Sequence, residues 1–279
     1  MRSYFCGWYF RCQSDRQTLA VIPSVHRTGD SDFCTIQLIT NSEAYNLHLP
    51  YSAFQKRDDH ITIAGNHFGP DGIMLDIQSD EFRASGCVKF GAFTPLRYDI
   101  MGPFRFVPFM QCRHSVFSLH HTVNGKFTVN GIPYSFQDSI GYIEGDRGYS
   151  FPKEYVWTQC SFPDGALMLS VADIPLGRFH FTGVIGVVYI HGKEYRLATY
   201  LGAKAVKILP EEIIVRQGKY TLTAHPKEVS GHLLLAPENG MMSRKISEQP
   251  SCQIHFRFEQ SGIPLLDLDA PNAAFEYEY

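Results

Sequence analysis

The sequence predicts an all-β chain assembled from antiparallel sandwiches or barrels, and three observations carry that prediction. Hydrophobic periodicity is two: Cys34, Ile36 and Leu38 alternate with Thr35, Gln37 and Ile39, and Ile254, Phe256 and Phe258 alternate with His255 and Arg257. Turn signals recur between such runs, at Pro70-Asp71-Gly72, Asn124-Gly125, Asn130-Gly131, Pro163-Asp164-Gly165, His191-Gly192-Lys193 and Asn239-Gly240. No window of about a dozen residues carries an amphipathic helical stripe.

Short strands with frequent turns favour closure into barrels, which removes sheet edges and creates an interior. Aromatic residues make up 14% of the chain, with 21 Phe and 15 Tyr, enough bulk for strands and for lining an apolar cavity. The run from Gly183 to Ile190 is apolar on both faces and needs cover on both. Two antiparallel halves are expected, 1–112 and 113–279. The stretch from Thr94 to Arg113 is the expected crossover, with Pro95, Pro103 and Pro108 set among Phe104, Phe106 and Phe109.

Composition excludes several functions. With a net charge of −3 and no dense run of Lys and Arg, the chain lacks the footprint of a nucleic-acid binder. Its longest apolar run falls well short of the roughly 20 residues that span a bilayer. The opening residues lack a secretory leader, so a cytoplasmic location is expected. Contact with a membrane surface and the oligomeric state stay open. Seven scattered cysteines without a C-x-x-C pair read as reduced thiols, not as a disulfide or zinc framework. Phosphate loops, dinucleotide fingerprints and nucleophile elbows do not occur, and no cofactor is expected.

The chemistry concentrates between Gly141 and Cys160, where acids, cations, glycines and Pro152 adjoin an aromatic strand. If Gly141 to Gly145 is extended, Tyr142 and Glu144 share a face, a phenol beside an acid. Asp146 is the second candidate acid. The structural alternative for Glu144 is an ion pair with Arg147 or Lys153 that pins a glycine-rich loop. Trp157 and Gln159 share a strand face and are candidate ligand contacts, as are Trp8 and Tyr9. In the strand His114 to His121, alternation groups His114, Ser118 and His120 against Phe117 and His121. His120 is a candidate substrate contact. His120 and His121 point oppositely, and no metal set is expected.

These residues also carry a resemblance. Tyr142, Glu144, Gly148, Phe151, Pro152, Tyr155, Trp157 and Gln159 follow the signature of the tocopherol cyclase-like family. Tyr4-Phe5-Cys6-Gly7-Trp8-Tyr9-Phe10 resembles its opening. Ala172-Asp173-Ile174-Pro175, Phe181-Thr182-Gly183, Tyr195 to Tyr200, Ser230-Gly231, Ala236-Pro237 and Met242 to Glu248 resemble later segments. Where the photosynthetic enzymes carry Lys and Trp, this chain has Gly145 and Arg147.

The resemblance implies a lipocalin-like, cofactor-independent protein acting on an isoprenoid or quinol-like molecule, with a more distant likeness to carotenoid hydratases. Such chemistry begins by protonating a trisubstituted double bond, which calls for a carboxylic acid kept neutral by burial. Two functions follow. One is a cyclase, hydratase or isomerase using Glu144 or Asp146 as acid. The other is a carrier holding a hydrophobic small molecule without chemistry.

Overall fold

The structure, a computed structural model, describes residues 3–29, 31–108, 110–163, 165–176, 179–227 and 231–279. Phe109 of the crossover, Asp164 of the Pro163-Asp164-Gly165 turn and Ser230 lie outside the described residues. Among those described there are strands, turns and three short 3-10 segments but no α-helix. None of the helices is long and apolar enough to cross a membrane.

The chain divides into two compact units. Met1–Pro95, Cys112–Ser150 and Leu235–Arg244 form the first, and Leu96–Gln111, Phe151–Leu234 and Lys245–Tyr279 the second. The expected halves are 1–112 and 113–279; the two units are interleaved along the chain.

The first unit holds strands β1 (Tyr4–Gln13), β2 (Thr18–Arg27), β3 (Phe33–Thr40), β4 (Ala44–Pro50), β5 (Phe54–Arg57), β6 (His60–Ile63), β7 (Asn66–Gly69), β8 (Gly72–Gln78), β9 (Arg83–Phe90), β10 (Cys112–Val129) and β11 (Ile132–Gly148). They form one antiparallel sheet in the order β4-β3-β2-β1-β11-β10-β9-β8-β7-β6-β5. Its two edge strands are chain neighbours joined only by the 3-10 turn Tyr51–Ala53, so the sheet curls until its edges approach. Across the curl, Trp8 of β1 stacks on Phe54 of β5 with ring centroids 6.4 Å apart. Inside lie Phe10, Cys12, Ile36, Phe68, Phe127 and Ile143, one residue in two along each strand. Each such side chain contributes about 1.5 to 3 kcal/mol by leaving water.

The second unit holds β12 (Tyr155–Phe162), β13 (Gly165–Leu176), β14 (Phe179–Ile190), β15 (Lys193–Ala198), β16 (Lys204–Leu209), β17 (Glu212–Gln217), β18 (Tyr220–Pro226), β19 (His232–Glu238), β20 (Met241–Gln260) and β21 (Ile263–Tyr277), with the tip of the β19–β20 hairpin grouped in the first unit. The sheet order is β15-β14-β13-β12-β21-β20-β18-β17-β16, with β19 on β20. Val156, Leu169, Val188, Phe256 and Phe258 face its core. In β14, Val184 and Val188 face that core while Val187, on the other face, is also buried, as the two-sided apolar run requires.

Of the expected crossover, Thr94 to Arg113, the stretch Leu96–Gln111 belongs to the second unit. Buried Arg196 donates to the carbonyls of Tyr98 and Asp99, and Tyr200 Oη to that of Ile100. The hairpin tip, residues 235–244, is tied into the first unit by its own bonds. Gln37 bridges the N–H and C=O of Leu235, His26 Nδ1 donates to Gly240 O at 3.1 Å, and Gly240 N–H donates to Tyr149 O at 2.7 Å.

One turn signal is corrected. Asn124-Gly125 is no turn but lies inside β10, beside a register shift between Val123 and Gly125. Gly125 has φ +141°, and a Cβ there would sit 2.3 Å from Cys87 O of β9. Glycine serves close strand approach here, not reversal. Gly125→Ala is expected to cost about 3 kcal/mol through strain and overpacking. A denaturation midpoint lowered accordingly, against an unchanged control at exposed Asp80→Asn, would register it.

Candidate active site

Three adjacent strands of the first unit build a buried polar cluster. In β11, Ile143 enters the core, so Tyr142, Glu144 and Asp146 project from the opposite face of the sheet. Register supplies their neighbours. On β10, His114 pairs with Asp146 and Val116 with Glu144; on β1, Gly7 pairs with Asp146, Tyr9 with Glu144 and Arg11 with Tyr142. Tyr9, Arg11, His114, Tyr142 and Glu144 are all buried.

The contacts form one line. Cys112 Sγ donates to Asp146 Oδ1 at 3.3 Å, and His114 Nδ1 lies 3.0 Å from the same oxygen. On the other side of the ring, His114 Nε2 sits 3.1 Å from Glu144 Oε2, close enough for charge pairing though off the line of a good hydrogen bond. Tyr142 Oη donates to that same Glu144 oxygen at 2.5 Å.

Burial alone would drive the His114 pKa down. The charges of Glu144 and Asp146, with their hydrogen bonds, outweigh it and hold the imidazolium well above the usual histidine value. Burial, reinforced by the Glu144 charge, pushes the Tyr142 phenol well up, and burial with Asp146 does the same to the Cys112 thiol. Tyr142 and Cys112 therefore stay protonated near neutral pH, and His114 carries the cluster's extra proton.

The sequence candidates divide. Glu144, Asp146, Tyr142 and Tyr9 come together on one sheet face. Trp8 points the other way, onto the core against Phe54. Trp157 and Gln159 lie in the second unit on β12, both buried, on the face opposite Val156 and Cys160; Gln159 Nε2 donates to Ser161 Oγ at 2.7 Å. Arg147 projects from the face of β11 opposite Glu144 and makes no ion pair with it.

Alternation along His114 to His121 fails, because register shifts fall between Val116 and Ser118 and between Ser118 and His121. His114 and His120 are thereby separated. His120 is half-buried and makes no hydrogen bond to the cluster through its ring. His121 Nδ1 instead bonds Ser118 Oγ at 2.9 Å, its ring packed by Phe90 and Phe93. Burial and the nearby His120 lower its pKa to about 3.

Sequence reasoning missed His114 as the centre, and Arg11 and Cys112 as its surroundings. Only strand pairing could have found them, since His114 and Asp146 are 32 residues apart. It also missed a donor set, for one atom each of His114, Glu144 and Asp146 lie within 4.8 Å of one another. That set has the chemistry to take a divalent cation. The carboxylates, however, stand against different ring nitrogens, an arrangement that fits an imidazolium paired with an anion on each side better than a common metal.

Glycine at position 145 has a structural reason. A Cβ there would stand 2.7 Å from Gly7 O and 3.1 Å from the Phe117 ring.

No protein-family model matches the chain, and no curated protein matches it significantly. Solved structures do. CghA, solved alone and with Sch210972, is similar with a TM-score of 0.65 at 8% identity, over 99% of this chain and 88% of that one. A protein provisionally named AttH from Nitrosomonas europaea is similar with a TM-score of 0.57 at 10% identity, over 100% of this chain and 93% of that one. These likenesses show the fold alone. It is all-β and lipocalin-like.

The cluster sets the pH dependence of stability. A histidine whose folded pKa is raised contributes stability that is complete below its unfolded value near 6.5 and is lost as pH climbs through the folded one. His114 therefore produces a decline on the alkaline side. Buried neutral His26, lowered by burial to about 4, and His121, to about 3, act oppositely and produce loss as pH falls below about 6.5. Thermal melts across pH are expected to show both limbs, and His114→Asn to remove the alkaline limb while lowering the melting temperature at neutral pH, because Glu144 and Asp146 lose their cation.

Proposed function

We propose that the chain catalyses a cofactor-independent, proton-initiated cyclisation, hydration or isomerisation of a prenylated or otherwise lipophilic substrate. The observation that carries this reading is the line Asp146–His114–Glu144–Tyr142, buried except at Asp146, which holds a proton beside a carboxylate. The tocopherol cyclase-like signature, which includes Tyr142 and Glu144, supports it, as does the fold shared with CghA, a protein solved with Sch210972.

The chemistry balances without a redox partner. His114 passes its proton to Glu144 Oε2, an uphill transfer out of the stabilised imidazolium that yields a neutral imidazole and a carboxylic acid. The carboxylic acid protonates the alkene, whose π electrons form the new C–H bond and leave a tertiary cation facing the Glu144 carboxylate. A phenol or water oxygen closes on that cation. The proton released from this oxygen returns through Glu144 to His114. Tyr142 orients Glu144, Asp146 steadies the far side of His114, and Tyr9 borders the reacting face. Trp157 and Gln159 are proposed as ligand contacts within the second unit, whereas the positions of Trp8 and His120 lend their proposed roles no support.

A second reading, a carrier without chemistry, is favoured by one observation. Glu144 already touches an imidazolium and a phenol, so its oxygen is satisfied without a substrate. Incubation of wild type and Glu144→Gln with a lipophilic extract, followed by liquid chromatography and mass spectrometry, separates the two. The catalytic reading expects an isomer or hydrate from wild type and at least about 100-fold less from the variant. One unchanged lipid retained by both proteins would establish the carrier.

A further inference from the structure

The second unit carries an exposed apolar feature that its core does not explain. Phe106 is 73% exposed, more than any other large hydrophobic residue described. It ends the 3-10 segment Gly102–Phe106, bracketed by Pro103 and Pro108, so it is presented on a stiff turn and not on a loose loop. The turn is anchored from below. Gly102, at φ +52°, lies flat on Tyr200, where a Cβ would come within 2.4 Å of the ring, and Phe104 packs against both Tyr200 and Phe181. Tyr200 belongs to the 3-10 turn Thr199–Leu201, whose last residue, Leu201, is also exposed. Val206, a few residues on in β16, is exposed as well.

Cations flank these turns in sequence. Arg105 lays its guanidinium over the Phe106 ring at 4.5 Å, and Arg97 and Lys204 are exposed. Among the described residues none of the three makes an ion pair. The nearby acids are engaged: Asp99 caps the Met101 N–H, and Glu194 pairs with Arg196. Bulky apolar tips on rigid turns with unpaired cations at their base match an interface between acyl chains and anionic headgroups, where long cationic side chains reach the phosphates. A protein partner would be expected to meet a flatter apolar patch with a polar rim.

We infer that this end of the second unit docks on an anionic lipid bilayer, with Phe106 and Leu201 inserted below the headgroups and Arg97, Arg105 and Lys204 held at them. Docking is independent of the chemistry assigned to His114 and Glu144, so either can fail while the other stands. Its use would be access to a lipophilic molecule dissolved in the membrane.

Flotation of the full chain with vesicles tests it, using phosphatidylcholine alone and phosphatidylcholine with a quarter phosphatidylglycerol. Wild type is expected to float with the anionic vesicles and to be released by high salt. Phe106→Ser should weaken partitioning about tenfold, and Arg105→Ala about fivefold. Both residues are exposed, and circular dichroism melts would verify that the variants remain folded. Absence of vesicle binding, equal binding by wild type and Phe106→Ser, or a Phe106-dependent protein complex without flotation would each overturn the inference.

Discussion

The placement of one imidazole between two carboxylates, across the β10–β11 register, is the constraint on which the rest of the site depends. Bringing His114 into the sheet's buried face without Asp146 and Glu144 would leave it neutral, as His121 and His26 are. Bringing either acid in without His114 would bury an uncompensated negative charge, a cost of several kcal/mol. The three are stable there only together. Their strands must therefore pair in one register, because a slip of one residue would turn Glu144 toward the core and Ile143 away from it.

Much of the local architecture follows from that demand. The alternation of β11 sends Ile143 inward and its polar neighbours outward, so one strand serves the core of the first unit and the cluster. Gly145 admits the close pass of β1, and Gly141 gives room to the His121 ring, which stands 2.2 Å from where a Cβ would be. The bulges of β10 separate His114 from His121, leaving one histidine charged and the other neutral within a single strand. Arg11, buried opposite Tyr142, adds a fixed positive charge to that face, so with His114 protonated the two cations balance Glu144 and Asp146.

The fold class was legible in the sequence because period-two alternation and turn residues are local signals. The turns at Asn130-Gly131, His191-Gly192 and Asn239-Gly240 fall where the residues placed them. Asn124-Gly125 misled because a glycine at a bulge and a glycine at a turn look alike in one dimension. The shared face of Tyr142 and Glu144 was legible for the same local reason. His114 was not, since its role arises from pairing with a strand distant in sequence, and alternation counted through two bulges assigns the wrong face. The interleaving of the two units was hidden likewise, because it depends on where Leu96–Gln111 and the hairpin tip pack and not on their composition.

Nuclear magnetic resonance of the protein with 15N-labelled histidine measures the charge on His114 directly. Both ring nitrogens of His114 are expected to remain protonated at pH 7 and for some distance above it, and Glu144→Gln to lower the pH at which the first proton is lost. A His114 ring with one bare nitrogen at pH 7 would contradict this expectation, and would remove the stored proton on which the proposed chemistry rests.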